Sequence, residues 1–317
     1  MTKMPSNNEF GLLSALQMPN DYGLYDGKMG LCIAHFLYGT HANDAKATEK
    51  ALALLDEVAE NIAEVDGYGF HNGLLGIGWA IEFLAQNNFI ELNTDDFLAD
   101  LDDEVYKLIM YSRAPSIHLN TGTLGRILYL YRRLTNKNPD TNFYKEVCNK
   151  ECMVLLIDEL YERLISAEDA ILQRDFNELE EELITAVSQS LIMACKLIPL
   201  QLDFDFLNEI ICKVVSKTED HFAEVSFENW THQSKFLVLL NAWYEAGVLL
   251  NINVWKEQAL LKLSQINLVN GSDEKVYILH KFNKNECAFQ QPSLIKTLQH
   301  LSPGMEQHNW SEGWLLK

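Results

Sequence analysis

The stretch Gly69-Phe70-His71-Asn72-Gly73-Leu74-Leu75-Gly76, followed by IGWAIEFL over residues 77–84, sets a Gly-x-x-Gly phrase in front of an apolar run. The phrase recurs at Asp26-Gly27-Lys28-Met29-Gly30 before LCIAHFLY and at Thr121-Gly122-Thr123-Leu124-Gly125 before RILYLYRRL. Gly27 to Gly73 is 46 residues and Gly73 to Gly122 is 49, a period that suits one helical hairpin per repeat. Two glycines three apart share a helix face, where the missing Cβ lets another backbone approach closely. The pattern predicts inner helices converging on an axis and a chain closed into a ring.

Outward from these phrases, the intervening segments are amphipathic with ordinary start signals. Asn43 or Asp44 can cap ALALLDEVAENIA, and Thr94 with Asp95 and Asp96 opens FLADLDDEVYKLIMYSR, where early acids suit the helix dipole. These read as outer helices; the more apolar glycine-led helices read as an inner layer. The second half keeps the rhythm without the glycines. Residues 141–166 (outer) lead to 180–198 (inner), and FDFLNEIICKVVSKTEDHF (outer) leads to THQSKFLVLLNAWYEAG (inner). Residues 253–266 (outer) lead, past a strand-like KVYILHKF, to QPSLIKTLQHL (inner), and Asn309 to Lys317 begins one more inner helix. The chain therefore reads as one all-α domain over 1–317, with six full hairpins and a seventh half-repeat.

With 25 Lys plus Arg against 45 Asp plus Glu, the net charge of −20 opposes nucleic acid and anionic lipid. It would attract a cationic peptide, although an acidic surface also serves plain solubility. MTKMPSNNEF lacks the pattern of a secretory signal, and no apolar run reaches the ~18 residues that span a bilayer, so a cytoplasmic protein is expected. Six scattered cysteines (Cys32, Cys148, Cys152, Cys195, Cys212 and Cys287) read as reduced thiols.

GFHNGLLGIGWAIEFL at 69–84 resembles the core repeat of the lanthionine synthetase C-like family, and the other two phrases and the terminal Asn309 to Leu316 are similar to that family's repeats. The resemblance implies an α/α toroid of about seven repeats around a central cavity. It also implies a role in peptide modification, in which a thiol adds across a dehydrated serine or threonine. That chemistry needs a zinc ion to lower the thiol pKa and a group to protonate the resulting enolate. In the family, zinc is held by a cysteine in a Trp-Cys-x-Gly phrase of the fifth repeat and by a Cys-His pair followed by Gly in the sixth. Here those phrases read Trp230-Thr231-His232-Gln233 and Glu286-Cys287-Ala288-Phe289, so two of the three ligands are replaced. The fourth repeat lacks the family's histidine, and His118 stands where the cyclases carry an aspartate.

Two site hypotheses survive. His71, His118, His232 and Cys287 would form a rearranged metal site if they converged, leaving zinc as an open alternative to no cofactor; each histidine is equally suited to backbone hydrogen bonding at a helix start. Asp26 and Glu312 would face each other across the closure between the first and seventh repeats, a paired-carboxylate arrangement; each also suits a helix start by itself. Tyr22, Tyr25, Tyr68, Phe70, Trp79, Trp230, Trp310 and Trp314 would line a cavity or fill the core. Lys28, Arg126 and Lys235, at inner-helix starts, would meet an anionic ligand or pair with the abundant acids. The expected function is a divergent family member that binds a peptide or partner protein. The rivals are a cyclase with relocated ligands and an α/α-barrel glycan hydrolase. An incomplete seventh repeat would expose an apolar seam that favours dimerisation.

Overall fold

The computed structural model describes residues 19–25, 27–138, 142–224 and 236–265. Ten helices of two or more turns follow in order among these residues: α1 (Lys28–Ala42), α2 (Ala45–Glu60), α3 (Leu74–Gln86), α4 (Ala99–Tyr111), α5 (Thr123–Leu134), α6 (Phe143–Tyr161), α7 (Glu181–Leu197), α8 (Phe204–Glu224), α9 (Leu237–Leu249) and α10 (Asn253–Gln265). A single helical turn, Thr94–Phe97, precedes α4. The odd-numbered helices pack on one another in sequence, α1 on α3, α3 on α5, α5 on α7 and α7 on α9. Hairpin partners flank them, α2 on α1, α6 on α5, α8 on α7 and α10 on α9, with α4, α6 and α8 touching along the outside. The alternation of inner and outer helices is the one the sequence rhythm predicts.

Burial separates the layers. Every residue of α1 from Lys28 to Gly39 is buried, whereas α2 buries Ala47, Ala51, Leu54 and Val58, the single stripe of an amphipathic surface helix. Between the two, Asn43 takes the left-handed conformation at the C-cap and Asp44 accepts from the backbone N–H groups of Lys46 and Ala47. The apolar stretch Glu181–Leu200 has the length and composition to cross a bilayer, contrary to the expectation from apolar runs, yet 67% of it lies buried within this fold. Its hydropathy is accounted for by burial among α5, α8 and α9.

Two local expectations change. The cap before Thr94 is Asn93, whose side chain accepts from Asp95 N–H, and the helix breaks at Leu98 before α4 begins. The glycine phrases serve a different contact from the one expected. A Cβ on Gly76 would overlap the carbonyl oxygen of Phe70, and one on Gly125 that of Leu119, so the crowding partner is the loop entering the same helix. The first glycine of each phrase is an N-cap without a side-chain cap, in extended backbone with φ of −108° at Gly27, −115° at Gly73 and −104° at Gly122.

KVYILHKF, the inner segment QPSLIKTLQHL and the terminal half-repeat lie outside the described residues.

Candidate functional site

Each glycine-led helix has its first N–H groups covered by its own entry loop. Lys28 and Met29 N–H donate to the carbonyls of Asp21 and Tyr22, Leu74 N–H to Gly67, and Thr123 and Leu124 N–H to Ser116 and Ile117. Helix starts otherwise leave such donors open to anions. Here the loop's own carbonyls occupy them, and only glycine leaves room for that loop.

The three loops also interlock. Leu24 and Tyr25 N–H both donate to the His71 carbonyl, at 2.7 and 3.0 Å, and Phe70 N–H donates to the Asn120 carbonyl at 2.7 Å. His71 N–H is taken by Asn120 Oδ1 at 2.9 Å. Tyr25, His71 and Asn120 each stand two residues before the leading glycine of their repeat, so one register position links successive repeats. This belt of loops crosses the N-terminal ends of α1, α3 and α5.

The belt decides what the predicted residues do. His71 stacks on Tyr25 with ring centroids 3.7 Å apart and planes 17° from parallel, so its ring is packed into the belt. His118 is half-buried, and its backbone N–H donates to Ser116 Oγ at 3.3 Å. Among the described residues no three His, Cys, Asp or Glu side chains are grouped to hold a metal ion. Asp26, His232, Cys287 and Glu312 lie outside the described residues, as do Trp230, Lys235, Trp310 and Trp314. Of the aromatics, Tyr25, Phe70 and Trp79 are buried core, and Tyr22 and Tyr68 pack partly buried against it.

Of the cations expected at helix starts, Lys28 is engaged by the protein and Arg126 only in part, while Lys235 lies outside the described residues. Lys28 Nζ donates to Glu57 at 2.7 Å and lies 4.3 Å from the Tyr22 ring centre; the bond to Glu57 outweighs burial and raises its pKa. Arg126 Nη1 donates to the Ser112 carbonyl at 2.7 Å.

At the opposite ends of α3 and α5 the structure holds a buried ionic network that the sequence reading missed. All five Arg133 donors are used: Nε on Asp102 Oδ1, Nη1 on Glu82 Oε2 and Thr94 Oγ1, and Nη2 on Asp95 Oδ1 and Asp102 Oδ2. Tyr129 OH donates to Asp102 at 2.7 Å, and Lys145 Nζ lies 3.7 Å from the same carboxylate. Burial opposes the arginine's charge, but the hydrogen bond and charge of Asp102, with Tyr129 and Glu82, carry its pKa above the ordinary value. A polar cleft opens beside this network, lined by Asp95, Asn136, Asn142, Lys145 and Asn149. With Arg133 saturated, the network is scaffold that ties α3, α4, α5 and α6 together. A charged Glu82 inside the apolar run WAIEFL was the available signal, because a buried carboxylate requires a partner.

The fold is all-helical, with packed inner helices of which three are led by Gly-x-x-Gly loops. The family model described as lanthionine synthetase C-like protein matches residues 18–175, and the chain belongs to that family. The fold is similar to a solved structure titled nisin cyclase, with a TM-score of 0.55 at 12% identity, covering 98% of this chain and 87% of that one. No match was found among curated protein sequences. The resemblance implies a zinc ion, and the phrases corresponding to its ligands, Trp230-Thr231-His232-Gln233 and Glu286-Cys287-Ala288-Phe289, lie outside the described residues, where the sequence gives their donor types. Thr231 offers a neutral hydroxyl, Ala288 offers no donor, and Cys287 alone keeps its type.

Proposed function

We propose that this chain is a peptide-binding member of the lanthionine synthetase C-like family, built as a closed toroid of seven two-helix repeats, that serves peptide maturation without zinc-dependent ring closure. The observation that carries this reading is the donor set, with Thr231 and Ala288 in the places of a cysteine and a histidine ligand. A catalytic zinc is held by three protein ligands, and one cysteine does not replace them. A net charge of −20 favours cationic peptides and works against nucleic acid and anionic membranes as partners. A cytoplasmic location agrees with the reduced cysteines.

The test uses the full chain and a labelled cationic peptide carrying one cysteine and one dehydroalanine. Fluorescence anisotropy reads binding, thiol alkylation followed by mass spectrometry reads ring closure, and elemental analysis reads zinc. Saturable binding with the thiol intact and no stoichiometric zinc is expected. Thiol consumption with stoichiometric zinc would overturn the non-catalytic reading, and absence of binding would overturn the peptide reading. For ring closure, deleting residues 309–317 is expected to lower the melting midpoint; an unchanged midpoint refutes a closed toroid.

A further inference from the structure

Where the C-terminal ends of α4 and α6 meet the start of α5, three arginines gather in a strongly acidic protein. Arg113 is a surface group paired through both terminal nitrogens with Glu162. Arg163 donates through Nη2 to the Ala114 carbonyl and lies 3.3 Å through Nε from Glu159 Oε1. That same Glu159 oxygen accepts from Ala114 N–H at 3.1 Å and from Thr123 Oγ1 at 3.0 Å. Arg126, on the first turns of α5, is different. It is 5% exposed, has no carboxylate within ion-pair distance among the described residues, and has one acceptor, the Ser112 carbonyl. Its Nε and Nη2 have no hydrogen-bond partner among the described residues, and neither is sealed from solvent.

A buried guanidinium with two open donor atoms is an incomplete ionic arrangement, because desolvating the charge is unfavourable unless an opposite charge replaces the lost water. Burial and the neighbouring Arg163 both press against the charge of Arg126, and Glu159 only partly offsets them. The local sum sets the size of the missing partner. Among the described residues Arg113 and Glu162 cancel, Glu159 balances one of the remaining two arginines, and one positive charge is left. A single negative charge completes the group, while a dianion would meet the repulsion of Glu159.

We propose that Arg126, supported by Arg163, forms a binding site for a carboxylate group at the junction of α4, α5 and α6. A planar carboxylate suits the fork of Arg126 Nε and Nη2, as in bidentate arginine pairs. The site does not depend on the peptide-binding reading, since a small free carboxylate and a peptide's terminal carboxylate share the chemistry.

The experiment titrates the full chain with sodium acetate against sodium chloride at equal ionic strength, reading the melting midpoint and deriving a Kd. Acetyl-dialanine as free acid and as amide provides the second arm. Acetate is expected to raise the midpoint beyond chloride, and Arg126→Gln is expected to weaken acetate binding by about tenfold or more, the scale of one charge-assisted hydrogen bond. Arg113→Gln, outside the fork, is expected to leave binding unchanged. A stabilising acid with an inert amide extends the site to peptide termini; acetate alone confines it to small carboxylates. Because Arg126→Gln also removes the bond to Ser112, Arg163→Gln serves as a second variant, with a several-fold loss expected. No acetate effect beyond chloride, full binding in both variants, or tighter binding of inorganic phosphate than of acetate would overturn the proposal.

Discussion

Replacing Arg133 by methionine tests whether the buried network holds the inner and outer layers together. The side chains of Arg133 and Glu82 are 1% exposed, and those of Asp95 and Asp102 are 7%. The substitution leaves three carboxylates facing one another with Lys145 as the nearest remaining cation, 3.7 Å from Asp102. Removing one partner of a single buried pair destabilises by about 3–5 kcal/mol, and three stranded carboxylates place this case at the upper end, about 4–5 kcal/mol. At about 2.1 cal/mol/K of unfolding entropy per residue, a chain of this length loses roughly 1.5 °C per kcal/mol, so the midpoint falls by about 6–8 °C. Urea unfolding followed by circular dichroism, with scanning calorimetry, measures both. The triple variant carrying Glu82→Gln and Asp102→Asn beside Arg133→Met should recover part of the loss, since it removes the stranded charge. A single variant as stable as the parent, or a triple variant no better than the single, would refute the account.

Gly76→Ala sets a Cβ against the Phe70 carbonyl oxygen and should destabilise by about 2–3 kcal/mol in urea unfolding, the scale of forced overpacking. Gly67→Ala, in open space but at φ +74°, should lose only about 1 kcal/mol; equal losses would show that sterics in the belt are not the cause. His35 on α1 is 2% exposed, with neither ring nitrogen hydrogen-bonded among the described residues. Burial first, then the charge of Lys50, lower its pKa from 6.5 to about 4, with Asp44 opposing. Between those values the unfolded chain holds the proton and the folded chain does not, so stability falls with decreasing pH, by about 2–3 kcal/mol from pH 7 to pH 4.5. His35→Phe should flatten that part of the urea-derived stability profile, and an unaltered slope would count against the assignment. Burial also raises the thiol pKa of Cys152 to about 11 and of Cys195 to about 12, while Cys148 and Cys212 are exposed. Iodoacetamide labelling of the native protein, mapped by mass spectrometry, should therefore modify Cys148 and Cys212 long before Cys152 and Cys195.

The helical rhythm was legible because it is carried by periodicity, which needs only neighbours three and four apart. Asp44 was legible as a cap for the same reason, its acceptors being Lys46 and Ala47. What connects distant segments was not. Asp95 and Asp102 have the local look of acids favouring a helix start, yet both turn inward to an arginine more than thirty residues later. His71 stands beside a glycine at a helix entrance, and its stacking on Tyr25 and its backbone bond to Asn120 are what the structure adds. Its role depends on Tyr25 and Asn120, each nearly fifty residues away, and no local spacing encodes that.

The glycine phrases and the zinc phrases carry different information, and this chain separates them. The glycines are needed because an entry loop folds over the start of its own helix, covers the open N–H groups and docks on the next loop. That requirement is steric and local, independent of any reaction. Where the phrase is missing, as before α7, the chain enters by another route. Two 3₁₀ turns with buried Phe176 and Leu179 lead to Glu180, an N-cap whose side chain makes no capping bond. Glycine phrases therefore report architecture. The zinc phrases are a matter of residue type, and Thr231 and Ala288 differ from the cysteine and histidine that the family resemblance implies there. Under the function proposed above, the belt is the part of the scaffold kept for binding, since its steric requirement does not depend on the residues at those phrases.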